Sequence, residues 1–292
     1  MKKIVGLTLL GLFGNAHALP ITVDGNLADW GVGPSSWTPA AGIHYTVEDQ
    51  TGGSGARLFP GYGGQAYDAE ALYATISGGK LYIALATGHD PRTVNNPGAN
   101  SFGAGDFAID FGKNGSYEMG INIKNAIAYN SATKTYTYES FGDQSGASTV
   151  GGVFSALTGV YKNPTWNYGL WNAAGNYDPS HPDPAHPTSL KSGTKVGMAN
   201  LAYTTVGASG FGVHKNDLHY FYELSLDVSL LTDSGWDGQS AFNIHWTELC
   251  ANDSIIADPP PGSVPEPGSM ALLGLGFAGL LGVRRRFSWS RP

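Results

Sequence analysis

Apolar residues recur at every second position along much of the chain, in pairs of short runs separated by turn residues. In residues 70–76 (EALYATI) Leu72, Ala74 and Ile76 share one face, and in residues 81–87 (LYIALAT) Leu81, Ile83 and Leu85 do the same. Ser77-Gly78-Gly79-Lys80 between them has the composition of a hairpin turn. Residues 106–112 (DFAIDFG), the turn KNGS and residues 117–123 (YEMGINI) repeat the pattern, with Asn114-Gly115 supplying positive φ. Further strands are predicted at 126–129, 135–139, 195–203, 218–228 and 241–248, whereas no stretch between residues 20 and 260 sustains a helical period beyond about two turns. The pattern predicts an all-β fold, an antiparallel two-sheet β-sandwich, with Trp30 and Trp246 in its core.

Two long stretches break the alternation, 88–105 and 142–192. The second contains NPTWNYGLWNAAGNYDPSHPDPAHP and is expected to be an ordered loop insertion, because a disordered linker would seldom carry Trp166, Tyr168, Trp171 and Tyr177 together.

The two ends follow other rules. Lys2 and Lys3, apolar residues 4–13 and Ala16-His17-Ala18 form a secretory signal peptide over residues 1–18. The folded domain is expected over 19–256, followed by a proline-rich linker at 257–264. From Gly268 to Val283 there are 16 residues without a charge, and then Arg284, Arg285 and Arg286. That is shorter than the roughly 20 residues of an ordinary spanning helix, and its glycines make it a weak core helix in water. It reads as a short transmembrane helix that stalls transiently in the inner membrane with the arginines on the cytoplasmic side.

Composition narrows the class. With 42 Gly, 15 Tyr, 12 Phe and 7 Trp but only 13% charged residues, the chain suits a secreted β domain. Six of the 16 basic residues lie in the two ends, leaving ten against 22 acidic residues between Leu19 and Val264, a net charge of −12. Such a chain is a poor nucleic-acid partner. Cys250 is the only cysteine, so no intrachain disulfide forms, and it is expected to be a buried small hydrophobe.

Candidate chemistry follows from three groups of residues. Trp166, Tyr168 and Trp171, with Asn167 and Asn172 beside them, have the aromatic faces and amides that sugar binding needs; the alternative is that they pin a long loop to the sandwich. Asp68, Glu70, Asp106 and Asp253, with Glu248 nearby, are oxygen ligands at predicted strand ends and suit Ca²⁺, or else are solvated surface carboxylates. His181, Asp183 and His186 have the types but not the setting of a transition-metal site, since the prolines around them suggest an extended loop. No nucleophile elbow, zinc-protease motif or phosphate loop is present, so an enzyme is not expected.

Two resemblances extend this reading. Pro265-Glu266-Pro267, the apolar stretch and the Arg284–Arg286 cluster together resemble the PEP-CTERM sorting signal, over residues 265–287. The resemblance implies processing by an exosortase near the PEP tripeptide and delivery to the surface or exopolysaccharide matrix of a Gram-negative bacterium. The opening ITVDGNLADWG (residues 21–31), with YDAEALYATISGGKLYIALATG, GDFAIDFGKNGSYEMGI, YFYELSLDVSLL and FNIHWTELCAND downstream, resembles family 9 carbohydrate-binding modules and their DOMON-like relatives. That likeness implies non-catalytic polysaccharide binding and a structural calcium ion; the other readings are a structural matrix protein without sugar affinity, or a glycan-active enzyme.

Overall fold

The computed structural model describes residues 21–49, 63–93, 96, 101–123, 126–130, 135–139 and 143–258, which fall within one unit, Pro20–Ser263. The leader, the sorting tail and all but the first two residues of the linker lie outside them. Along the chain come β1 (His44–Val47), β2 (Ala69–Ser77), β3 (Lys80–Thr87), β4 (Phe107–Phe111), β5 (Met119–Ile121), β6 (Ala126–Asn130), β7 (Thr135–Glu139), β8 (Ser145–Val150), β9 (Val153–Tyr168) and β10 (Pro187–Thr204). Then follow β11 (Tyr220–Asp227), the short helix α1 (Val228–Asp233), β12 (Phe242–Thr247) and β13 (Ser254–Ala257). The fold is all-β.

The β2–β3 hairpin closes where the sequence predicts, because Gly78 and Gly79, at φ +57° and +78°, form the left-handed pair that a two-residue turn requires. The second hairpin turns more widely. Asp110 accepts the backbone N–H of Asn114 and of Gly115, at 3.0 and 2.7 Å, and so builds the loop from its own strand.

All strand pairs are antiparallel, and the main sheet runs β1-β2-β3-β11-β10-β9-β5-β4-β12-β13, with β8 on β9 and β6–β7 as a separate hairpin. The expected two sheets are therefore one continuous sheet curled round its core. Its edge strands β1 and β13 meet through Thr46 Oγ1, which donates to the Ile256 carbonyl at 2.6 Å. Continuity comes from β9 and β10, whose pairing shifts register at four places between Pro187 and Gly197; such bulges bend a strand from one side of the core to the other. The alternation read from the sequence is the core face: Leu72, Ala74, Leu81, Ile83, Leu85, Phe107, Ile109 and Trp246 all join one cluster.

Residues 142–192 correct the expected loop insertion, for they contain β8, all of β9 and the start of β10. The alternation is hidden there because both faces of the sheet are covered. Val160 points to the core, while Tyr161, Trp166 and Leu190 pack with Ala108 and Tyr117 on the outside. Gly120 makes that outer layer possible, since a Cβ there would stand 2.6 Å from Leu190 and 2.8 Å from the Trp166 ring. Cys250 is buried with Phe102, Leu170 and Leu249, and burial pushes its thiol well above the usual range.

Candidate functional site

One rim of the curled sheet gathers the ends of six strands: Glu48-Asp49 follow β1, His89 follows β3 and Glu248 follows β12, while Asp68-Glu70, His219 and Asp253 lie at the starts of β2, β11 and β13. Asp68, Glu70, His219, Glu248 and Asp253 are fully buried and His89 nearly so. Buried charges need partners, and most of these have them. Glu70 lies 3.2 Å from His219 Nε2 and accepts from Gln65 Nε2 at 2.7 Å. Glu248 stands 2.7 Å from His89 Nδ1. Asp253 accepts the backbone N–H of Ala69 at 2.7 Å and of Ser254 at 2.8 Å.

Asp68 differs. Neither of its oxygens accepts a hydrogen bond, and its carboxyl lies against that of Asp253. Two buried carboxyls in contact cannot both ionise unless a cation sits between them. Burial, reinforced by the charges of Glu70 and Asp253, raises the Asp68 pKa and so favours its protonated form beside Asp253. Burial also raises Asp253 and Glu248, and it pushes Glu48 up to about 8 with help from Asp253. No three Asp, Glu, His or Cys side chains among the described residues already stand in metal-ligating positions.

Beside this cluster opens a groove of about 460 Å³. Tyr67 and Tyr220 give it aromatic walls, and Gln65, Asp90, Asn216 and Asp217 give it amide and carboxyl groups. Asp90 is set by Arg92, whose Nη2 donates to it at 2.6 Å.

The structure divides the predicted sugar-binding set. Trp166 is only 8% exposed, spreads over Gly120 and lies within 3.5 Å of the Tyr117 carbonyl through Nε1. Asn167 is buried and donates to Ser189 Oγ, and Tyr168 packs against the Trp166 cluster. Trp166 and Tyr168 clothe the outer face of β4, β5, β9 and β10 and form no platform with Trp171. Trp171 instead reaches the rim, donating from Nε1 to Asn252 Oδ1 at 2.8 Å, next to Asp253, with the half-exposed Tyr177 edge-on at 5.6 Å. Asn172 accepts the N–H of Ala174 and of Asn176 and so shapes the turn between those two aromatics.

Of the predicted metal ligands, Asp68, Glu70 and Asp253 meet at the rim. Asp106 does not: it accepts the N–H of Ile123 at 2.6 Å and of Leu190 at 2.8 Å, tying β10 to the β4–β5 hairpin. His181 and His186 pair with different aspartates, Asp178 and Asp183, and His181 is exposed. Sequence reasoning missed His89, His219, Tyr67 and Tyr220 as site residues. No spacing marks them, because His219 and Tyr220 meet β3 only through the insertion of β11 beside it.

No curated protein matches the chain. Residues 263–286 match the PEP-CTERM protein-sorting motif, so the chain bears an exosortase sorting signal behind its β domain and is a secreted protein processed for the extracellular side or the cell surface.

Proposed function

We propose that this protein is a non-catalytic polysaccharide-binding component of the surface or exopolysaccharide matrix of a Gram-negative bacterium. The observation that carries the reading is the rim groove, where Tyr67 and Tyr220 stand among amide and carboxyl groups. Aromatic faces for the C–H side of a sugar ring and planar polar groups for its hydroxyls are what glycan recognition requires. The likeness of the β domain to family 9 carbohydrate-binding modules supports it, and so does the sorting signal, which sends the chain to where such polymers lie.

Asn216 is exposed and Asp217 half-buried on a loop at the groove, so replacing both by alanine leaves the fold intact. Binding of the N216A/D217A variant to the producing organism's exopolysaccharide is expected to be roughly five- to thirtyfold weaker, the loss of one to two net hydrogen bonds at about 1 kcal/mol each. Unchanged affinity in a folded variant removes the groove from the binding site.

A calcium ion at the adjoining acid cluster is part of the same proposal; its motive is Asp68, a fully buried carboxyl whose oxygens accept nothing and which touches another carboxyl, and its binding requires the acidic side chains to close together from their present positions. Asp68, Asp253 and Glu48 would hold the ion, which would take the place of the proton and fix the strand ends that carry the groove. Asp106 has no part in it.

Sorting makes a separate expectation. The intact mass of protein released from the surface should lack the segment beyond about Pro267. A mature form that retains Arg284, Arg285 and Arg286 would contradict exosortase processing.

A further inference from the structure

A row of side chains crosses five strands on the outer face of the sheet. Tyr82 on β3 is directly opposite Ser225 on β11, Ser225 opposite Asn200 on β10, Asn200 opposite Leu157 on β9, and Leu157 opposite Ser145 on β8. Residues paired this way point to the same face, and their chain neighbours Leu81, Ile83, Leu224, Leu226 and Leu201 point to the core. With strands about 4.8 Å apart, the row is roughly 19 Å long, enough for an oligomer rather than a single sugar. Above it lies a groove of about 640 Å³, lined also by residues 21–23 and by Gly146.

The adjoining row is closed. There Glu223 on β11 and Ala202 and Ala84 beside it are fully buried, and Glu223 accepts backbone N–H groups of the N-terminal segment that covers it. The Tyr82 row is open over much of its length: Asn200 and Ser145 are exposed, Leu157 is 42% exposed and Tyr82 half-buried, while Ser225 lies buried between Tyr82 and Asn200. An aromatic ring and a leucine thus alternate with an amide and hydroxyls, and the Asn200 amide is oriented by its donation to Ser225 Oγ at 3.0 Å. The one charge in the lining, Lys80, is engaged by Asp227 at 2.8 Å, and the acidic domain repels polyanions.

We propose that this groove is a second polysaccharide site, for an extended and electrically neutral glycan chain lying across the strands. The inference rests on the reading of the protein as a polysaccharide binder but uses none of the rim residues. A protein with both sites would bridge two chains, or two segments of one chain, and so gain avidity.

The test is native gel retardation of the processed protein in hydroxyethylcellulose, a neutral glucan, and in polygalacturonate, an anionic one. Retardation is expected in the neutral gel and not in the anionic one, and Y82A/N200A should weaken it at least tenfold while Val213→Ala, at an exposed position that lines neither groove, keeps it. Asn200→Ala alone, at an exposed position, gives the same loss in part should Tyr82→Ala disturb folding. The proposal is overturned by wild-type retardation of Y82A/N200A at an unchanged Tm, by absence of retardation in the neutral gel, or by equal retardation in the anionic one. Loss in N216A/D217A with Y82A/N200A unaffected would leave the rim as the binding site and refute the groove.

Discussion

Replacing Glu223 by alanine is expected to destabilise the domain by about 4 kcal/mol and to lower its Tm by roughly 10 °C. This carboxylate sits fully buried on the outer face of β11. Its Oε2 accepts the backbone N–H of Asp24, Gly25 and Asn26, and its Oε1 accepts Trp30 Nε1 at 2.6 Å. Trp30 is itself fully buried. Removing the acceptor leaves the indole N–H and the segment's backbone donors without it, at about 1–3 kcal/mol for each that stays out of water. Glu223→Gln keeps the volume and one oxygen but turns an NH₂ toward a donor, so about half the loss is expected. Urea unfolding of the three proteins measures this; a loss under about 1 kcal/mol in Glu223→Ala would mean that the N-terminal segment is held by other contacts. Since that segment also walls the outer groove, the same variant should weaken any ligand bound there.

The second large effect is of pH and calcium together. Burial pushes Glu223 up to about 7 and Glu48 up to about 8, and it raises Asp68, Asp253 and Glu248. Acids with raised folded pKa values bind more protons in the native than in the unfolded state, so stability is highest below the unfolded values and falls as pH rises through the folded ones. The window opens near pH 4.5, most of the fall comes by pH 8 through Glu223, Asp253 and Glu48, and Asp68 extends it to about 10. A loss of roughly 3 kcal/mol between pH 5 and pH 8 is expected without calcium, since a tenfold gain in proton affinity on folding is worth about 1.4 kcal/mol. Glu48, only half-buried, is screened by solvent and contributes less than a fully buried acid. Calcium exchanged for the cluster's protons should restore Tm at pH 8 and have little effect at pH 5, where protons hold the site. A Tm that is flat from pH 5 to 8, or one that calcium leaves unchanged at pH 8, would rule out a cation at Asp68 and Asp253.

The sequence made β2 and β3 legible because their core face carries Leu72, Ile76, Leu81, Ile83 and Leu85 while the outer face, though covered, carries the small or polar Ala71, Thr75, Ala84 and Ala86; 70–76 and 81–87 alternate cleanly, and they form these strands within one residue at each end. The same rule failed for β9. There Tyr161 and Trp166 on the outer face are as buried as Val160 on the inner one, so period two gives no signal and the run reads as an aromatic loop. The single curled sheet was illegible for a related reason, since the bulges of β10 leave no residue-type signature. At the site, acidic residues at strand ends stood out, and three of the four predicted ligands converge. Asp106 looks the same in sequence, yet it opens a strand at a place where backbone N–H groups of β10 and of the β5 end consume both oxygens. Histidines 89 and 219 lie 130 positions apart and are related only by the β3–β11 pairing.

The measurement that bears most directly on polysaccharide binding is calorimetric titration of the processed protein with the producing organism's own exopolysaccharide, with and without calcium at pH 8. Saturable heat is expected in calcium, reduced without it and roughly five- to thirtyfold weaker in affinity for N216A/D217A. Absence of heat in both conditions would contradict polysaccharide binding and leave the chain a structural protein of the cell surface, sorted there by its C-terminal signal.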